Sequence, residues 1–388
     1  MQYDPDYHKL FSKPEIKFGE VVIIMREEMD QKVWRGGMIG AGAWSNVQLD
    51  AWVGVNNAKI VALTDRHPDR RDLIIQQYQI LQAFDDFHAM LDNGELDFVD
   101  ICTRPYSHAA LTKMAADRGI PILCQKPFCT SLAEAIDLVD YCKKAGVRLM
   151  VNENFRWQAW YRKAKELIDS GALGNPFLAK FHQRHRLMIP KFEHSQKYFT
   201  EMPYALMYEV GTHLMDVSRF LFGEPHNVYC RKHTISPEMK GEDVYVAVMG
   251  YSNLTVILHD SWVSVPVPGM DRAEEMQRWP PRLLEVDGTL GTLILKADRS
   301  LHLYADNDHQ SWQFPIDTTP RSYILGQQHF IDCLESGAEF ETSGVDTINT
   351  MRILWAAYQS AEDGRVINIS TDNDRELKKT QIARSHSI

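Results

Sequence analysis

The sequence predicts a doubly wound α/β parallel sheet followed by an α+β domain with a large open, mostly antiparallel sheet. Three observations predict this. Apolar runs alternate with helical stretches between residues 33 and 152, as strands covered on both faces require. A glycine-rich turn closes the first of those runs. Beyond residue 152 strand-like stretches crowd together with turn signals such as Asp287-Gly288 between them, which suits antiparallel pairing. The chain has 388 residues, enough for two or three domains of about 150.

Residues 1–32 are an extension to which the sequence assigns no role. Its start, Met1-Gln-Tyr-Asp-Pro-Asp6, is acidic and lacks the apolar stretch of a secretory signal. The domain over 33–152 has strand candidates at Val33–Ile39, Lys59–Thr64, Phe98–Cys102, Ile122–Cys124 and Val147–Val151. Ser131-Leu-Ala-Glu134 is a capping box, and its helix should stop at Lys143-Lys144-Ala-Gly146. In the domain over 153–388, Trp157, Trp160, Tyr161, Ala164, Leu167 and Ile168 recur at helical spacing before Gly171. Strands are expected at Phe177–Leu187, Asn227–His233, Val244–Tyr251, Thr255–Val263, Leu283–Val286 and Thr292–Leu295. Ile348, Met351, Trp355 and Tyr358 mark a C-terminal helix.

The net charge of −10 argues against nucleic acid and against anionic membrane surfaces as partners. The longest apolar runs, such as Val244–Met249, fall far short of a membrane span. Six cysteines without a C-x-x-C pair suit reduced, buried thiols in the cytoplasm.

The first strand ends in Gly40-Ala41-Gly42-Ala43-Trp44-Ser45, a G-x-G-x-x-S turn opening a helix. The first glycine permits the turn, the second lets a pyrophosphate approach, and the helix start supplies N–H donors. Ser45 replaces the usual third glycine but is still small. The next strand ends in Asp65, where a carboxylate can accept from ribose hydroxyls and favours NAD. Arg66 can pair with a 2′-phosphate, which leaves NADP open.

Four further stretches resemble the glucose–fructose oxidoreductase / inositol dehydrogenase (Gfo/Idh/MocA) family, from about residue 33 to 370. They are Thr103-Arg-Pro-Tyr-Ser-His108, Gln125-Lys126-Pro127, Asn152-Glu-Asn154-Phe-Arg156-Trp157 and Glu209-Val-Gly-Thr-His213-Leu-Met-Asp216. Arg104, Gln125, Ser45 and Glu209 depart from the family pattern. The resemblance implies a Rossmann-type domain, NAD as cofactor and a sugar or polyol substrate. It also implies homodimers or homotetramers formed through the second domain's sheet. Within the family, Cys-Gln-Lys-Pro-Phe and Asn-Glu-Asn-Phe-Arg-Trp-Gln are similar to a subgroup that includes D-apiose dehydrogenases, which oxidise an aldose to a lactone.

Alcohol oxidation needs a positioned base and groups that stabilise the developing oxyanion. Lys126, at the end of a parallel strand, suits the second task. His213 suits the first, because its ordinary pKa lies near neutrality. Glu209 stands four residues before His213, so on a regular helix its carboxylate would orient the imidazole. Gly40, Gly42, Ala43, Trp44, Ser45, Asp65, Arg66, Thr103, His108, Gln125 and Lys126 are expected at the cofactor. Asn154, Arg156, Trp157 and Arg184 are expected, with Lys126, Glu209 and His213, at the substrate. Asp216 reads as structural. His182-Gln-Arg-His185 is no metal pair, because strand residues three apart face opposite ways, and Cys124 and Cys129 read as packing thiols. Two other functions fit the sequence: a non-catalytic dinucleotide-binding regulator, and NAD-assisted glycoside cleavage.

Overall fold

A computed structural model describes residues 32–184, 198–265 and 283–370. The extension over 1–31, together with His185 and Arg186, lies outside the described residues. Two compact units are present, and neither is continuous in sequence. The first gathers the described residues up to Gln125, Cys142–Met150 and Tyr323–Phe340; the second holds Lys126–Tyr141, Val151–Ser322 and the described residues from Glu341 on.

The first unit contains a six-stranded sheet in the order β3-β2-β1-β4-β5-β6. Its strands are β1 (Trp34–Ile39), β2 (Ala58–Thr64), β3 (Gln82–Phe84), β4 (Phe98–Ile101), β5 (Ile122–Cys124) and β6 (Leu149–Val151). The strand order reverses beside β1, and in such sheets ligands bind at the carboxyl ends of the strands near that point. β4 and β5 are buried throughout, which explains why β5 is wholly apolar and β4 is apolar but for Asp100. Helix α1 (Ala43–Val53) follows β1. Its Trp52 packs on Phe98 with ring centroids 4.9 Å apart. Phe330 packs on the same ring at 5.6 Å, and the Gln327 amide donates to the Gln48 carbonyl at 3.1 Å. Residues 323–340 thus belong to the first core although they lie far along the chain.

The second unit is built on a nine-stranded sheet in the order β14-β13-β12-β11-β7-β10-β9-β8-β15. Its strands are β7 (Pro176–Arg184), β8 (Asn227–His233), β9 (Val244–Gly250), β10 (Thr255–Ser261), β11 (Leu283–Gly288), β12 (Gly291–Leu295), β13 (Ser300–Ala305), β14 (Asp308–Gln313) and β15 (Ile367–Asn368). Among the described residues β7 and β10 pair in parallel, and the other neighbouring strands of this sheet are antiparallel. The hairpin β13–β14 carries no apolar alternation strong enough to be anticipated. Ala179, Phe181, Tyr245, Ala247, Met249, Val256 and Leu258 are buried on one face. Alternation sends Lys180, His182, Arg184, Val246 and His259 to the other. One helical rod, residues 206–222, lies on the buried face. Its first part, Met207–Gly211, is a π-turn, and Thr212–Phe222 is α-helical. Trp157 belongs to a separate 3₁₀ turn, Asn154–Trp157, and the helix expected to include it starts at Ala159.

Candidate functional site

The glycine turn in the first unit is shaped for a phosphate. Gly40 has φ +107°, and a Cβ there would meet the Cys102 carbonyl oxygen at 2.2 Å, so only glycine fits. A Cβ on Gly42 would meet no heavy atom within 4 Å. That open space fronts the start of α1, whose N-cap is Gly42 and which has no side-chain cap. Its first N–H groups are therefore available to an anion. Asp65 is held against this turn: Ala41 N–H donates to its Oδ2 at 2.7 Å and His67 N–H to its Oδ1 at 2.7 Å. Arg66 is bonded to the neighbouring His67 ring at 3.2 Å. Trp44 meets the Tyr323 ring edge-on at 5.7 Å, and Ser45 is fully buried where the third glycine would stand.

Thr103 Oγ1 and Ser107 Oγ are 2.7 Å apart. His108 is wholly buried and its Nε2 lies 3.1 Å from the Thr103 carbonyl. The ring therefore braces its own turn. Gln125 is nearly buried, and its Nε2 finds no partner among the described residues. A buried amide donor without a partner is costly unless a ligand satisfies it. The open space at Gly42, the Asp65 carboxylate and the unsatisfied Gln125 amide together fit a dinucleotide.

The second unit holds two buried pairs of base and carboxylate. Lys126 Nζ donates to the Glu209 carbonyl at 3.1 Å and reaches its Oε2 at 3.4 Å. Burial pushes the Glu209 carboxyl above its ordinary pKa, and the Lys126 charge pulls it back. His213 Nδ1 lies 2.5 Å from Glu153 Oε2. The Phe155 ring stacks on the imidazole at 4.0 Å with planes 2° apart. The expectation that Glu209 orients His213 is thus corrected: Glu209 turns to Lys126, and Glu153 orients the histidine. The physical reason is the nearer buried partner of each group: the Lys126 ammonium lies 3.4 Å from Glu209 Oε2, and Glu153 Oε2 lies 2.5 Å from His213 Nδ1.

Four residues expected at the substrate have partners within the second unit. Arg156 Nε and Nη2 bond the two Asp216 oxygens at 2.7 Å each, Nη2 bonds Asp346 at 2.6 Å, and Nη1 donates to the Glu341 carbonyl at 2.9 Å. Arg219 shares Asp346 at 2.8 Å, so this buried guanidinium is committed to a structural network that includes Asp216. Asn154 Nδ2 donates to Ser322 Oγ at 2.9 Å, and Trp157 is buried under Arg162. Arg184 lies on the sheet face opposite the helical rod, and its charge helps to lower the pKa of His259 there. Glu153 and Phe155 meet the His213 ring, a contact that residue spacing does not reveal. Glu153 lies inside the Asn152–Trp157 stretch, but its partner is 60 residues away.

Comparison with known proteins agrees with this geometry. A family model described as "Oxidoreductase family, NAD-binding Rossmann fold" matches residues 34–153, and one for the GFO/IDH/MocA C-terminal domain matches 161–294. The D-apiose dehydrogenase of Rhizobium rhizogenes is 34% identical over 351 residues, covering 88% of this chain and 99% of its own. That of Paraburkholderia graminis is 33% identical, covering 88% and 91%. A crystal structure of an oxidoreductase from Agrobacterium radiobacter, in complex with NAD+, L-tartaric acid and magnesium, superposes with a TM-score of 0.81 at 34% identity. It covers 87% of this chain and 99% of its own.

Proposed function

The chain belongs to the Gfo/Idh/MocA oxidoreductase family, and from that premise we propose that it is an NAD-dependent dehydrogenase oxidising a hydroxyl of an aldose or polyol. The observation that carries this reading is the pair of buried base–carboxylate couples mounted on one helical rod, Lys126 with Glu209 and His213 with Glu153. The relatives named D-apiose dehydrogenase favour an aldose, oxidised to its lactone.

Gly42, the start of α1, Asp65 and Gln125 would hold the cofactor, with Asp65 on the adenine-side ribose. NAD, when bound, supplies the hydride acceptor. His213 Nδ1–H donates a hydrogen bond to the Glu153 carboxylate and keeps its proton, which leaves the Nε2 lone pair to take the substrate hydroxyl proton. Glu153 then stabilises the imidazolium that results, and Phe155 fixes the ring plane. Lys126 donates to the same substrate oxygen and stabilises the negative charge that develops there. Glu209 keeps the Lys126 ammonium aimed. In the low-dielectric surroundings of these side chains each of these charges counts for more than it would in water.

Incubation of the purified protein with NAD and a panel of aldoses and polyols, followed at the absorbance of the reduced cofactor, tests the reading. Sugar-dependent reduction is expected, with an aldose turned over faster than a polyol. A panel without any turnover overturns it.

We assign the second copy of this chain to the face of the nine-stranded sheet that carries Lys180, His182, Val246 and His259. Val246 and Tyr304 are exposed there, and an apolar stripe on an open sheet favours a symmetric partner. A cytoplasmic location suits the six cysteines, which form no disulfide with one another.

A further inference from the structure

We propose that Glu242 is a positioning residue for the Lys126–Glu209 pair: its carboxylate, tied to Tyr358, clamps the start of the π-turn that carries Glu209. This rests on reading Lys126 and Glu209 as part of the catalytic machinery.

A helix start leaves N–H groups without intrahelical partners. Here Glu242 supplies them. Its Oε1 accepts from Ala205 N–H and from Met207 N–H at 3.0 Å each, and its backbone carbonyl accepts from Leu206 N–H at 3.1 Å. Three successive amides thus end on one residue of the sheet layer. The turn closes as Glu209 N–H donates to the Ala205 carbonyl at 2.8 Å. Oε1 also accepts from the Tyr358 hydroxyl at 2.7 Å, and Lys232 Nζ lies 4.0 Å from Oε2. Glu242 is 1% exposed. Its burial raises the cost of its charge, which these partners offset.

The clamp has little slack. A Cβ on Gly241 would meet the Met202 carbonyl oxygen at 2.6 Å, so the two backbones run in close approach. Tyr358 is itself wedged against Tyr204, with ring centroids 4.6 Å apart. A π-turn is a strained register that persists where its ends are held. Released by one residue into the α register, a side chain turns by about 100° around the axis. Glu209 would then leave Lys126.

The test uses the full chain carrying Glu242→Ala, Glu242→Gln or Tyr358→Phe, with Leu293→Ala, a cavity in the sheet core, as a stability control. Two readouts are taken: kcat and KM with NAD and sugar, and the NMR titration of ¹³C-dimethylated Lys126, assigned by Lys126→Arg. Glu242→Ala should lose about a hundredfold in kcat, the scale of a misplacement near 1 Å, with KM little changed and the Lys126 signal moved. Glu242→Gln keeps an acceptor oxygen and should restore most of kcat. Leu293→Ala should lower the melting temperature yet leave kcat and the Lys126 signal in place. A folded Glu242→Ala with unchanged kcat and signal overturns the proposal, as does a Leu293→Ala that reproduces its effects. If Glu242→Ala does not fold, Tyr358→Phe decides: a moved Lys126 signal supports the clamp and an unmoved one overturns it. If the wild type oxidises no sugar, the dehydrogenase reading fails by itself, and the NMR arm still decides the clamp.

Discussion

At the scale of single residues, the proposed mechanism divides the work of oxidation between the two base–carboxylate pairs, and mutation can separate them. Lys126→Ala removes the cation facing the developing oxyanion, and kcat should fall by about a thousandfold, the range seen when one such donor is lost. Lys126→Arg keeps the charge but not its placement and should recover only part of that loss, as steady-state kinetics would show. Unchanged kcat in Lys126→Ala would remove Lys126 from the mechanism. Glu153→Gln acts differently. The carboxylate 2.5 Å from Nδ1 favours the imidazolium, so its loss makes His213 a weaker base. The maximal rate should fall by about tenfold to a hundredfold, within the range for general base catalysis. The acid limb of the kcat/KM profile should move to lower pH. A profile that scales down without moving would mean that Glu153 only supports the fold.

At the scale of elements, the strand that forms the middle of the first sheet carries an unusual charge. Asp100 on β4 is fully buried, and burial pushes its carboxyl up from 3.8 to about 7, while the Trp52 N–H bond at 2.8 Å pulls it down. The folded state therefore prefers the protonated acid. That contribution to stability is fully present below pH 3.8, the unfolded value, and is lost as pH rises through about 7. Its full size is about 4 kcal/mol as an upper bound. Asp100→Asn keeps an oxygen for Trp52 and cannot ionise. Its melting temperature, relative to wild type, should rise between pH 5 and pH 8. Parallel melting curves against pH would refute the buried charge. The same strand shows what was legible in the sequence. Burial writes apolar runs, broken in β4 by Asp100, so β1, β4 and β5 and the glycine turn could be read directly. β13 and β14 could not, because the alternation Leu301-His302-Leu303-Tyr304 lasts only four residues and β14 is exposed along nearly its whole length. Nor could the role of Arg156, whose carboxylates stand 60 and 190 residues away. The π-turn was equally hidden, since Glu209 and His213 have the spacing of a regular helix.

At the scale of the whole molecule, the proposal that two copies meet on the open face of the nine-stranded sheet can be tested. A monomer would leave Val246 and Tyr304 in water beside the charged and polar row of Lys180, Glu285 and His259. Lys180 and Glu285 already pair across β7 and β11 at 3.4 Å, which neutralises part of that row and lowers the cost of covering it. A surface pair of this kind adds little stability by itself, so the apolar residues must supply the drive for association. Val246→Lys places a charge at the centre of β9, on the face a second copy would cover. The lysine would lose solvent there, a penalty of several kcal/mol per ion in a dry interface. Light scattering coupled to size exclusion should therefore find wild type at twice or four times the mass of one chain and Val246→Lys at a smaller assembly. Val246 lies on the face of β9 opposite the buried Tyr245 and Ala247, so the substitution leaves the core and the helical rod intact. A variant that keeps its fold and its assembly would show that this face is not where copies meet.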